Sequence, residues 1–167
     1  MDYPTLIHER VDLARNTENP TVICRVPSGW VVLGDDQRLR GYCLLLADPI
    51  RDNLNELDPA ERAQFLTDMA AIGDALIEVL HPSIVNYSIL GNTDRALHAH
   101  IHPRYDSEEP EMRRDHPIRY HWMKMPPVPF DKQRDGPLMD LIRATLASST
   151  TALPAAGSST PPSFPLS

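Results

Sequence analysis

The chain has 167 residues, 41% of them hydrophobic and 23% charged, with a formal net charge of −7. That length and composition fit one packed domain, and the acidic balance without any Lys/Arg run argues against a nucleic-acid-binding surface. A small anionic ligand is still compatible, because a local group of His and Arg can outweigh a distant negative total. Cys24 and Cys43 lack C-x-x-C spacing and read as core thiols in a reducing compartment. The start, MDYPTLIHERVDLARN, has no apolar signal core, and no apolar run approaches the ~20 residues of a membrane helix. These features predict a soluble, cytoplasmic protein with no membrane partner.

In chain order, GWVVLG (29–34) and RGYCLLLAD (40–48) read as a hairpin-like pair of strands. The stretch 57–81 is the clearest helix. Asp58 suits the N-cap, Pro59 the first turn, and Glu61 completes a capping-box pattern. Phe65, Met69, Ile72, Leu76 and Val79 form its buried stripe, and Pro82 ends it. SIVNYSIL (83–90) and ALHAHIH (96–102) are two further strands. Residues 106–134 are proline-rich and aperiodic, a long excursion of the kind that covers ligands. Within it, Arg113-Arg114 reads as a solvated turn, and Tyr120 and Trp122 as aromatics packed onto the sheet. DGPLMDLIRATLA (135–147) is a last helix. Residues 148–167, almost all Ser, Thr, Pro, Ala and Gly, read as a disordered tail. The domain is therefore expected over 1–147. The order strand, strand, helix, strand, strand predicts an α+β fold, an antiparallel sheet with a long helix packed on it.

RALHAHIHPRY (95–105) carries the chemistry. His98, His100 and His102 share one face of a strand, and Leu97, Ala99 and Ile101 share the other, which packs on the core. A row of imidazoles can be a solvated strand face. It can be part of a metal site, although the outer pair lies roughly 13 Å apart at Cα and would need a ligand from elsewhere, such as Asp106, Glu108, Glu109, His116 or His121. It can also serve nucleophilic catalysis at phosphorus, where one neutral imidazole attacks and its neighbours donate to the phosphate.

Four blocks in order resemble the histidine triad superfamily of nucleotide hydrolases and transferases: GYCLLLADP (41–49), LNELDPAERAQFLTDMAAIGDALIEVL (54–80), NYSILGN (86–92) and ALHAHIHPRY (96–105). The resemblance covers residues 25 to 105. It implies an antiparallel α+β fold and a homodimer. It also implies attack by a histidine on the α-phosphorus of a nucleoside phosphoramidate, dinucleoside polyphosphate or nucleotide sugar, through a nucleotidyl-histidine intermediate. No cofactor is implied beyond a divalent metal carried by the nucleotide.

Two registers are open. Counting histidines alone makes His100 the middle member of His98, His100 and His102. Anchoring on Pro103-Arg104-Tyr105 puts Ala96 at the first histidine position, His98 at the second and His100 at the third. The second register keeps the distance from Gly91-Asn92 and is adopted here. It makes His98 the nucleophile and His100 its partner, with Asn92, His102, Arg104 and Asp35 as substrate-binding residues and no bound metal. Asp35 would accept from ribose hydroxyls. Two departures from the pattern, Ala96 for histidine and carboxylates around Arg51 where a basic residue is common, keep a catalytically weak nucleotide-binding or interaction module as the alternative.

Overall fold

The computed structural model describes residues 5–117 and 126–151. In chain order the elements are α1 (Leu6–Arg15), β1 (Val22–Val26), β2 (Gly29–Leu33), β3 (Cys43–Ala47), α2 (Pro59–Leu80), β4 (Ile84–Ile89), β5 (His98–Arg104), α3 (Pro110–Arg113) and α4 (Lys132–Thr151). The strands form one antiparallel sheet in the order β1-β2-β3-β5-β4. The expected α+β architecture with a long helix on the sheet is the one observed.

Period-2 alternation sorts the side chains onto two faces. Val31 and Leu33 of β2, Cys43, Leu45 and Ala47 of β3, and Ala99 and Ile101 of β5 face α2 and α4. There they meet Phe65, Ile72, Leu76, Leu138 and Ile142 in the main core. The alternate residues Val32 and Leu46 face the other way and, with Ala96, pack against Ile7 and Val11 of α1. Each layer follows from the sequence of the strand that divides it.

Helix α2 starts where its caps dictate. The Asp58 carboxylate accepts from the amides of Ala60 and Glu61, both at 2.8 Å, and the Glu61 carboxylate accepts from the Asp58 amide at 3.1 Å. It ends at His81, which turns into the left-handed region at φ 50° just before Pro82. Phe65, Ile72 and Leu76 of the expected stripe are buried, and Met69 and Val79 are partly buried against them.

Several boundaries differ from the sequence expectations. The hairpin strands are shorter, because Gly34 to Tyr42 form a connection held by the buried Gln37 side chain. Its amide nitrogen donates to the carbonyls of Gly34 and Tyr42, and its oxygen accepts from the Gly41 amide. β5 runs on through Pro103 and Arg104 rather than stopping at His102. Pro103 is tolerated there because its nitrogen faces β3, whose pairing with β5 already ends at Cys43–Ile101. The last helix begins at Lys132 rather than 135. Its start is set by Asp131, whose carboxylate accepts from the Arg134 amide while its own amide donates to Asp135. That helix also continues through Thr151, past the expected end of the domain at 147. Residues 152–167 of the expected tail, and Tyr120, His121 and Trp122 of the excursion, lie outside the described residues.

Two elements carry signals that the sequence expectations leave unused. β1 is a β-branched run, TVICRV, before a Pro-Ser-Gly turn, and α1 places Ile7, Val11 and Ala14 on one buried face behind Thr5. Among the described residues no helix is long and apolar enough to cross a membrane.

Ile72 is fully buried at the centre of the main core. Ile72→Ala is expected to lower unfolding free energy by about 3 kcal/mol, and Asp58→Ala by about 1 kcal/mol, both read from urea denaturation.

Candidate functional site

The face of β5 opposite the main core carries His98, His100 and His102 in sequence alternation. On β3, Leu44 stands opposite His100 and Leu46 opposite His98. Tyr42 continues the same side of the sheet by one more step and stacks on His102, with ring centroids 4.2 Å apart and planes 5° from parallel. His100 lies edge-on to His98 at 4.8 Å and roughly parallel to His102 at 5.9 Å.

These residues line a cleft of about 490 Å³. Its walls are apolar, with Ile7, Val32, Leu33, Leu44 and Leu46, and its polar groups include the three histidines, Arg10, Asp35 and Asp94. A concave, largely apolar site with a few convergent polar groups is the general form of a small-molecule pocket.

Within the row, the ring of His98 has a defined proton. Its Nδ1 lies 2.7 Å from the backbone carbonyl of Ala96. A carbonyl can only accept, so Nδ1 donates and, in the neutral ring, the lone pair is on Nε2. The Nδ1 atom of His100 lies 2.5 Å from the Tyr42 hydroxyl. Burial, with the nearby Cys43 and Asp35, pushes the Tyr42 phenol well up from its ordinary range, so the hydroxyl keeps its proton.

Helix α1 forms one wall, and three polar attachments hold it. Asp94, just ahead of β5, accepts from the Thr5 hydroxyl and from the Ile7 amide at 3.0 Å, while also accepting from the Ala96 amide at 3.0 Å. Arg10 pairs with Asp35 at 2.5 Å across the cleft mouth. Arg15 pairs with Asp48 at 2.5 Å. Asp48 also accepts from Trp30 Nε1 at 2.8 Å and faces Arg25 at 3.5 Å. Burial opposes ionisation of Asp48, yet Arg15 and Trp30 outweigh it and hold the carboxyl below the usual range. Asp36 pairs with Arg38 at 2.5 Å. Asp35, Asp36 and Asp48 thus each have an arginine beside them.

The sequence-expected site residues separate into two groups. His98, His100, His102 and Asp35 converge on the cleft, although His102 is almost fully buried behind Tyr42, at 1% exposure. Asn92 is exposed in the turn between β4 and β5 and is not a lining residue. Arg104 faces a different recess, beside Asn86, Arg113 and Asp115. Its Nε and Nη2 donate to Glu108, its Nη1 to Asn86 and the Asp115 carbonyl, and Nη2 also to the Met112 carbonyl. A guanidinium has five N–H donors, and these contacts use them all, so Arg104 holds the α3 loop against the sheet. Glu108, considered above as a metal ligand, is consumed by the same pair, at 2.8 Å. Among the described residues no group of three or more His, Cys, Asp or Glu could hold a metal ion. The sequence reading missed Tyr42, Arg10 and Asp94. Of these, Tyr42 had a local signal, an aromatic hydroxyl at the head of a strand in register with the histidines.

No protein-family model matches the chain, and no curated protein matches it by sequence. Solved structures do match. A histidine triad protein from Bradyrhizobium japonicum superposes with a TM-score of 0.65 at 24% identity, over 80% of this chain and 95% of that one. A hypothetical histidine triad nucleotide-binding protein from Sulfolobus tokodaii gives 0.65 at 13% identity, over 84% and 92%. The Plasmodium falciparum diadenosine triphosphate hydrolase, in complex with cyclomarin A, gives 0.58 at 14%, over 77% and 78%.

Asp94 offers a test of how the α1 wall is held. Burial opposes its ionisation, but the Thr5 hydroxyl, the amides of Ala96 and Ile7, and His98 together hold its carboxyl below the usual range. A depressed carboxyl contributes stability in full above its unfolded value of about 3.9 and loses it as pH falls through the lower folded value. Asp94→Ala is expected to speed exchange of the Ile7 amide roughly fivefold at neutral pH, equivalent to about 1 kcal/mol, with the difference from wild type closing below about pH 4.

Proposed function

We propose, on the premise that the chain has the fold of histidine triad proteins, that it is a nucleotide hydrolase or nucleotidyltransferase acting on a nucleoside phosphoramidate or dinucleoside polyphosphate, with His98 as nucleophile. The observation that carries this reading is the bond from His98 Nδ1 to the Ala96 carbonyl, which leaves Nε2 as the nucleophilic nitrogen in a cleft lined by His100. It also favours the register in which Ala96 occupies the first histidine position.

In the first step Nε2 of His98 bonds to the α-phosphorus, and the bond from phosphorus to the leaving oxygen or nitrogen breaks. The electron pair goes to the leaving group, which takes up a proton. In the second step water attacks the same phosphorus, the bond to Nε2 breaks, and a mononucleotide departs. Charge grows on the non-bridging phosphate oxygens in both steps, and a donor from His100 stabilises it there. The apolar wall of Ile7, Val32, Leu44 and Leu46 suits a nucleobase, and Asp35 at the mouth suits ribose hydroxyls. A divalent metal enters only with a polyphosphate substrate.

Incubation with adenosine phosphoramidate and with diadenosine tetraphosphate, with and without magnesium, tests the reading by chromatography of released AMP or ATP. His98→Ala is expected to cut turnover at least about a thousandfold while the protein stays folded. Nucleotide affinity without any release would replace the enzyme by a nucleotide-binding module. The homodimer carried by the resemblance predicts a light-scattering mass twice the chain's 18.8 kDa.

A further inference from the structure

We infer that Tyr42 is a positioning residue that sets His100 in the tautomer opposite to that of His98, so that one ring attacks and its neighbour donates. This inference rests on the nucleotidyl-histidine reading for its catalytic meaning, and on the geometry alone for the tautomers.

His98 and His100 share a face of β5, two residues apart, and both line the same cleft. Two equivalent neutral imidazoles would each present the same kind of nitrogen to a phosphate. Their second partners differ, however. His98 Nδ1 meets a carbonyl, which only accepts. His100 Nδ1 meets a phenol hydroxyl at 2.5 Å.

The direction of the second bond follows from acid–base strength. A phenol O–H is a stronger acid than a neutral imidazole N–H, and an imidazole nitrogen is a much better acceptor than a phenol oxygen. The favoured arrangement is therefore O–H of Tyr42 to Nδ1 of His100. Burial keeps that hydroxyl protonated across the working pH range. With Nδ1 accepting, the proton of neutral His100 is on Nε2. The pair then reads lone pair on His98 Nε2 and N–H on His100 Nε2. That is the combination a phosphorus attack requires: an electron pair for the phosphorus and a donor for its oxygens.

The Tyr42 ring is itself held. It stacks on His102 at 4.2 Å, which is the role left to the most buried histidine of the row. Gly34 is packed beneath it: a Cβ there would lie 2.3 Å from the ring carbon Cδ1. The chain therefore fixes the hydroxyl from two sides before any ligand arrives.

Long-range proton–nitrogen correlation spectra of the full chain, labelled with nitrogen-15 at histidine and recorded where the rings are neutral, read both tautomers directly. His98→Gln and His100→Gln assign the signals. The expected result is His98 as the Nδ1–H form and His100 as the Nε2–H form. Tyr42→Phe, which keeps the ring stacked on His102 and removes only the hydroxyl, should turn His100 into a mixture while leaving His98 unchanged. It should also lower kcat for AMP release about tenfold or more with little change in KM. An Nδ1–H form of His100 in the wild type overturns the inference, whatever the variant does, as does a His100 spectrum unmoved by Tyr42→Phe. Opposite tautomers in a wild type that releases no AMP uphold the inference and overturn the hydrolase reading instead.

Discussion

The arrangement of the molecule depends on the two-sidedness of β5. Ala99 and Ile101 are fully buried against α2, and a shift of one residue would exchange them for imidazoles. Burying three imidazoles in that core would leave their nitrogens without water or partners, at a cost of a few kcal/mol each. The register is thus pinned by the apolar set, and the histidines take the remaining face. The same alternation runs through β3, where Leu45 joins the main core while Leu44 and Leu46 face the histidine side. The cleft is the result of two neighbouring strands being sorted the same way.

Helix α1 covers part of the second face. α1 brings few large apolar side chains, chiefly Ile7 and Val11, and its attachment leans on charge: Asp94 at its start, Asp35 at Arg10, and Asp48 at Arg15. Partly exposed ion pairs contribute little each. Their effect here is geometric, because they spread along the helix and fix one wall of the cleft relative to β5. Ala96 belongs to this wall. Buried with Ile7 and Val32, it fills with a methyl group the position that the resemblance, in the register anchored on Pro103-Arg104-Tyr105, would give to a histidine. The orienting bond to His98 comes from its carbonyl, which any residue would supply.

Arg104 shows how far a motif can be read without its surroundings. In the sequence it follows three histidines and looks like a phosphate ligand. In the fold, the strand continues through it, its side chain points into a separate recess, and Glu108, Asn86 and two carbonyls take its donors. With side-chain exposures of 2% for Arg104 and 4% for Glu108, the two form a buried ion pair that orders the loop after β5. Asn92, by contrast, is displaced from the cleft by the turn it belongs to.

Much of the fold was legible because its signals are local. Asp58, Pro59 and Glu61 mark the start of α2, and Phe65, Ile72 and Leu76 mark its buried face, so a few residues suffice to place it. The alternation 98 to 102 likewise determines by itself that three histidines share one side. α1 and β1 were also written locally, but each is short, and only packing on the sheet separates them from loops of similar composition. What the tertiary structure alone decided is which groups each histidine ring meets. The proton on His98 is set by a carbonyl two residues back, within reach of local reasoning once the register is known. The partner of His100 is Tyr42, 58 residues away, and it arrives only because β3 pairs with β5 in one register. Sequence determines the side on which a group stands; the charge state and the hydrogen-bond direction of that group depend on what the fold brings within three ångströms of it.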